Sequence, residues 1–273
     1  MFKVAVDGRG RFGNNLIQYF AVKIFCKYFT NYKYVLHKND LSNPITITET
    51  QFYKCLENGQ QIIALSNADI FLEGFFQDIS FLSKHRDFIK TLYTVNNNNI
   101  INYHHYEKKM VIKDLIIRIK DEDKPGSHDL VMHLRLDDFI HQGHNSNILD
   151  VNYYIEAVVE SNCDKKWNTI WIVVDKLNNE FDKKYVDFLL KSLNNHHNIR
   201  NIKLHQKSFL EDWTFCIKST SFISSNSSFA LTAILLSDMK YVILPNELVY
   251  KNMIPIDKIE NCIIREVKRI NMI

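Results

Sequence analysis

Three segments carry residue types able to bind anions or move protons where a strand ends. The first is GRGRFGNNLIQYF (8–20). Gly8, Gly10 and Gly13, with Asn14 and Asn15, offer backbone N–H groups and turns of positive φ. No Gly-Lys-Ser/Thr follows, so it is not a P-loop, and it fits the dinucleotide pattern only loosely. A plain turn between strand and helix would also use these residues. The second is MHLRLDDFIHQGH (132–144), with Arg135 at the carboxyl end of a predicted core strand. An ionised guanidinium there is costly unless it meets an anion or a carboxylate. A diphosphate is one such anion; a structural pair with Asp138 is the alternative. His133, His141 and His144 lack helical ligand spacing and two fall in a predicted loop, so no metal site is expected. The third is SFISSNSSFALTAILL (221–236). Its Ser and Asn residues can cap a helix and leave N–H groups facing an anion, or serve as caps only.

These segments need elements to position them. FKVAVD (2–7) reads as a strand, and 13–29 as a helix with Leu16, Ile17, Phe20, Ile24 and Phe25 on one face. Short apolar runs follow at 33–36, 61–65 and 70–76, and helical patterns at 78–90 and 107–119. The Asn run 96–99 reads as a loop. DEDKPGSH (121–128) is the best linker candidate, dividing an N-terminal domain, 1–125, from a C-terminal one, 126–273. Beyond it, strands at 129–136, 169–175, 201–205, 221–225 and 240–245 alternate with helices at 151–161, 178–193, 208–218 and 227–237. That alternation implies a parallel sheet covered on both faces, with ligands at the carboxyl ends of its strands.

Composition sets the bounds. The 273 residues are 46% hydrophobic, 12% aromatic and 24% charged, which excludes a mainly disordered chain. A chain of this length buries about 70–75% of its unfolded surface and needs no staples. The net charge of +3 does not suggest a nucleic-acid or membrane-surface partner. Five scattered cysteines without a CxxC read as separate buried thiols in a reducing compartment. No apolar stretch is long enough to span a bilayer, and MFKVAVDGRG lacks a signal-peptide core. The glycosylation pattern at Asn226 sits inside the third motif, where a glycan would obstruct. Asp121-Glu122-Asp123 imitates a metal-binding DxD but lies in the hydrophilic linker, and His104-His105 and His196-His197 read as surface pairs.

Together and in this order, the motifs resemble the fucosyltransferase superfamily, which includes α1,2- and α1,6-fucosyltransferases and protein O-fucosyltransferases. GRFGNN (10–15) is similar to the GxxGNQ signature, with Asn15 in place of Gln, and Leu16 to Tyr19 continue the match to the α1,2 branch, of family 11 type. LEGFFQD (72–78) resembles GYFQS, HLRLDDF (133–139) resembles HxRRGDY, VVD (173–175) stands where SDD lies, and SNSSF (225–229) is similar to SNSSFSWW. The likeness spans 8–240. Leu136 and Asp137 replace the family's second Arg and Gly, Lys176 the second Asp of SDD, and Ala230, Leu231 and Thr232 replace Ser-Trp-Trp.

The resemblance implies a GT-B fold, two Rossmann-like α/β domains facing across a cleft, with the acceptor on the N-terminal domain and the nucleotide sugar on the C-terminal one. It implies an inverting, metal-independent transferase needing no cofactor, with GDP-fucose as donor and a glycan hydroxyl as acceptor. Arg135 would hold the diphosphate, and Asp138, His141 or His144 would serve as base. Gly10, Arg11, Phe12, Gly13, Asn14, His133, Asp175, Asn226, Ser227, Ser228 and Phe229 would meet the donor. Asn15 and Gln77 would meet the acceptor. Lys176 motivates an alternative donor, a UDP-sugar such as UDP-xylose. A non-catalytic glycan-binding module is a third possibility, disfavoured because Arg135 is kept. The start of the chain, close to the first strand, suggests a catalytic unit without anchor, in the cytoplasm.

Overall fold

The computed structural model describes residues 1–57, 68–92, 101–106, 109–115, 124–136, 148–164, 167–195, 199, 201–246, 259 and 261–265. The side chains of 101–106, 109–115 and 162–164 are outside that description. The chain forms two compact units, 1–78 with 85–118 and 79–84 with 119–273.

The first unit has a four-stranded parallel sheet in the order β2-β1-β4-β3. Its strands are β1 (Phe2–Val6), β2 (Tyr32–Tyr34), β3 (Ile45–Thr48) and β4 (Ile70–Glu73). Helix α1 (Phe12–Tyr28) joins β1 to β2, and α2 (Glu49–Glu57) starts directly after β3. α1 is apolar nearly all round, so it is buried on almost every side, from Phe12 to Phe25. Phe25 of α1 stacks on Phe52 of α2 at 6.4 Å, placing both helices on one face. Helix α4 (Arg86–Thr91) also belongs to this unit, whereas α3 (Ile79–Lys84) belongs to the second.

Residues 107–119 were expected to be helical, but β5 (Ile101–Tyr106) and β6 (Lys109–Leu115) pair antiparallel as a hairpin. The segment KMVIKDL satisfies a helical spacing of apolar residues equally well; its β-branched Val111 and Ile112 favour the strand once a partner is present. The sequence reading also missed β3 and α2.

The second unit carries a six-stranded, all-parallel sheet in the order β12-β11-β10-β7-β8-β9. The strands are β7 (Leu130–His133), β8 (Ile170–Val173), β9 (Ile202–His205), β10 (Ser221–Ile223), β11 (Tyr241–Pro245) and β12 (Asn261–Arg265). Helices α5 (Val151–Asp164), α6 (Glu180–Asn194), α7 (Phe209–Ile217) and α8 (Ser228–Leu236) connect the strands from β7 to β11. The chain runs outward from β7 to β8 and β9, then returns to the other side of β7 as β10. With right-handed crossovers this puts α5 and α6 on one face, α7 and α8 on the other. Met132, Ile172, Tyr154, Val158, Tyr185 and Leu189 belong to the core that α5 and α6 close against the sheet. β12, an edge strand not expected from sequence, extends the sheet beyond β11.

Cys216 is buried, but Cys26, Cys55 and Cys262 are only half-buried, which corrects the reading of them as buried thiols; none of the four is in a disulfide. No helix of the described residues is long and apolar enough to cross a membrane.

Candidate functional site

Each sheet gathers motif residues at the carboxyl ends of neighbouring strands. In the first unit the turn after β1 is shaped by Gly8 (φ +68°) and Gly10 (φ +82°), a region favouring glycine. A Cβ on Gly10 would lie 2.3 Å from Asn14 Nδ2. Gln18, fully buried one turn further along α1, holds this turn. Its Oε1 accepts from the N–H of Gly8 (2.8 Å) and Arg9 (3.3 Å), and its Nε2 donates to the Arg9 carbonyl (2.8 Å). Asn15 does similar work, donating from Nδ2 to the carbonyls of Gly10 and Arg11, both at 2.9 Å. Arg11, at the start of α1, gives the helix no side-chain cap, so the first-turn N–H groups at Phe12, Gly13 and Asn14 receive none from it. Phe12 and Gly13 are buried, Gly10 and Arg11 exposed, Asn14 between.

The segment after β4 comes to the same place. Gln77 Nε2 donates to Asn14 Oδ1 at 2.7 Å, across 63 residues of chain. Glu49, at the start of α2, fixes the backbone of this segment: its carboxylate accepts from the N–H of Phe75 and of Gln77, each at 3.0 Å. Tyr53 donates to Glu49 Oε1 (3.1 Å) and accepts from the Asp78 N–H (3.1 Å). Burial, then the Glu49 charge, push the Tyr53 phenol well above its ordinary value, so it remains a donor. Arg9 pairs with Asp7 and with Glu73, the latter at 2.7 Å.

In the second unit, β7 and β10 are the neighbours from which the chain departs in opposite directions, the place where open α/β sheets bind ligands. His133, the last residue of β7, lies there with Nδ1 2.6 Å from Ser225 Oγ, and its ring stacks on Phe229 at 4.9 Å. Burial first, and the Arg135 charge second, depress the imidazole to about 3, so it is neutral near pH 7. Tyr153 donates to the Ser224 carbonyl at 2.9 Å and secures the strand end. Ser227 caps α8, its Oγ accepting the Phe229 N–H at 3.2 Å. That N–H is therefore engaged within the helix cap. Asn226 and Ser227 are buried, while Ser228 and Arg135 are partly exposed.

Asp175 is exposed just past β8, its carbonyl accepting from Gln206 Nε2 at 3.0 Å. Asp138, His141 and His144 lie outside the described residues, as do Asp137, the 61–65 run, the Asn run 96–99, Asp121 to Asp123 and His196-His197. Among the described residues no group of three His, Cys, Asp or Glu side chains is arranged to hold a metal.

No family model and no curated protein matches this sequence. Solved structures do match. Arabidopsis thaliana FUT1, a mutant in complex with GDP, is 10% identical over 91% of this chain and 72% of that one, with a TM-score of 0.50. The fold is that of the GT-B glycosyltransferases. E. coli heptosyltransferase WaaC with ADP-2-deoxy-2-fluoro heptose covers 97% of this chain and 93% of its own at 9% identity; its TM-score of 0.40 is too low to add to this.

Four of the residues at which this GT-B chain departs from the fucosyltransferase motifs, Leu136, Ala230, Leu231 and Thr232, are buried. Leu136 belongs to the apolar core of the second unit, where an arginine would be buried in that core. Ala230, Leu231 and Thr232 are fully buried, and Thr232 Oγ1 accepts from Trp213 Nε1 at 3.1 Å. The indole of α7 is thus tied to α8 by a buried hydrogen bond. The sequence reading left Gln18, Glu49 and Ser225 without roles. A glutamine on the buried face of an apolar helix, ten residues beyond a glycine turn, was a usable signal for the first. Nothing local to Glu49 announced its partners 26 and 28 residues away.

Proposed function

We propose that the chain is an inverting, metal-independent glycosyltransferase that moves a sugar, with GDP-fucose as the first candidate donor, to a glycan hydroxyl. The observation that carries this reading is the meeting of two motif segments at the strand-order reversal of the second sheet. His133 and Ser225, 92 residues apart, bond there, and Arg135 is close enough to act electrostatically on His133. Because His133 is neutral, the positive charge beside it comes from Arg135. The GT-B fold and the order of the five motifs support the same conclusion.

In the proposed reaction the acceptor oxygen attacks the anomeric carbon from the face opposite the leaving group. The bond from that carbon to the phosphate oxygen breaks, and its electron pair departs on the nucleoside diphosphate. Arg135 forks two N–H groups onto the phosphate oxygens. The hydroxyl proton passes to a base, for which the sequence offers Asp138, with His141 and His144 as alternatives. Asp175 is the proposed partner of the base or ribose, and the α8 start, with Asn226 and Ser228, the proposed neighbour of the donor.

A thermal-shift series with GDP, UDP and ADP tests this. A nucleotide at 100 times its Kd stabilises by about 2.7 kcal/mol. Selective stabilisation by GDP, followed by turnover of GDP-fucose, supports the first candidate. Selectivity for UDP moves the chemistry to a UDP-sugar, which the Lys176 departure motivates. No stabilisation by any nucleotide removes the transferase reading in favour of a non-catalytic glycan-binding module.

A further inference from the structure

We propose that Tyr153 is a positioning residue for the donor site: its phenol takes the place of a backbone N–H that Pro245 lacks, and so sets where the Ser224–Ser228 segment leaves the sheet. The word donor rests on the transferase reading; the placement of the segment rests on the geometry of the second unit alone.

The gap lies in the ladder between β10 and β11. In parallel register Ser221 faces Tyr241, Phe222 faces Val242 and Ile223 faces Ile243. The Ser224 N–H donates to the Ile243 carbonyl at 2.9 Å, so the next rung would run from the N–H of residue 245 to the Ser224 carbonyl. Residue 245 is a proline and has no N–H. Ser224 is fully buried, so its carbonyl cannot turn to bulk water instead. Tyr153 reaches in from α5, 71 residues away in the chain, and donates to that carbonyl at 2.9 Å; the Ile243 carbonyl lies 3.4 Å from the same phenol oxygen. A side chain here completes a backbone ladder.

The completed rung stands next to the strand-order reversal. β11 continues through Pro245 in register with β12. The chain after β10 instead brings Ser225 Oγ to 2.6 Å from His133 Nδ1 on β7. The Ser225 carbonyl accepts from the Ser227 N–H at 2.9 Å and from the Ser224 hydroxyl at 2.8 Å, and α8 begins at Ser228. The segment is therefore held from both faces of the sheet, by Tyr153 within the α5 core and by His133 stacked on Phe229 of α8. Only one peptide unit separates the carbonyl that Tyr153 holds from the residue that meets His133. Releasing that carbonyl shifts Ser225 and the α8 start directly, and small misplacements near a reacting group are costly.

The test compares wild type, Tyr153→Phe, Pro245→Ala and the double variant on the full chain. Imidazole nitrogen NMR, with His133→Gln assigning the resonance, reads the His133–Ser225 bond without any ligand. Titration calorimetry with GDP, UDP and ADP reads nucleotide affinity. Tyr153→Phe is expected to shift the His133 Nδ1 resonance and weaken the responding nucleotide about tenfold, while Pro245→Ala and the double variant stay within about twofold of wild type. An unmoved resonance in Tyr153→Phe, an unmoved affinity despite a shifted resonance, or a double variant no better than the single one overturns the proposal. If Tyr153→Phe does not fold, the double variant decides: matching wild type in both readouts supports the proposal, and failing to match overturns it. If the resonance shifts and is rescued while wild type binds no nucleotide, the placement of the segment stands and the transferase reading falls.

Discussion

His133 and Ser225 stand 2.6 Å apart between two neighbouring parallel strands, the imidazole lying flat against Phe229. The ring is buried and neutral, its proton affinity depressed to about 3 from an ordinary 6.5. The unfolded chain therefore binds one more proton than the folded chain between those values. Stability from this site is full above pH 6.5 and declines as the pH falls, by about 1.4 kcal/mol per pH unit. Urea unfolding of wild type and His133→Gln at pH 6.5 and 5.5 checks this: the wild type loses about 1 kcal/mol more than the variant, because half of the unfolded imidazole is already protonated at pH 6.5. Equal losses would place the proton-sensitive group elsewhere.

Arg135 follows this pair by two residues. Arg135→Ala and Arg135→Lys are expected to lower donor cleavage by on the order of 10²–10³, since a lysine keeps the charge but not the two-pronged geometry. Circular dichroism should remain that of the wild type. A near-normal rate in the Lys variant would remove the forked contact from the mechanism.

Gly10→Ala should destabilise the first unit by about 1–3 kcal/mol, because φ is +82° and the added methyl collides with Asn14. Displacing Asn14 also breaks its bond from Gln77. Denaturant titration measures the first effect. A Gly10→Ala crystal structure with the Asn14–Gln77 bond intact would refute the second.

Gln18→Leu conserves volume yet leaves two N–H groups and one carbonyl of the 8–9 turn without their partner. The expected loss is about 3 kcal/mol or more. Chemical denaturation reads it directly, and a loss under 1 kcal/mol would mean that water replaces the amide.

Thr232→Val removes the acceptor of the buried Trp213 N–H, at about 1–3 kcal/mol, while leaving nucleotide thermal shifts unchanged. An altered nucleotide shift would show that this helix contributes to the donor site as well as to the core.

Much of the second unit was legible because buried parallel strands read as continuous apolar runs. LVMH, IWIV and YVILP could be placed within a few residues, and the Ser-rich start of α8 announced its own cap. The first unit was less legible. Its β3 alternates Ile and Thr on a half-exposed edge, and the β5–β6 hairpin uses a pattern that a helix would satisfy. Which state wins there depends on a partner strand, not on propensity.

The sequence by itself determined the elements to which the chemistry is assigned by proposal: a glycine turn at a strand end, an arginine at the end of a core strand, a serine cap on an apolar helix. Those are local properties, set by backbone conformation and by the period of apolar residues. Tertiary structure alone decided which of these ends became neighbours. Asn14 meets Gln77, Glu49 meets the Phe75 loop, and His133 meets Ser225 only because the order in which strands join a sheet is set by packing and crossover handedness. The same long-range burial made His133 neutral, an outcome no neighbouring residue in the chain dictates.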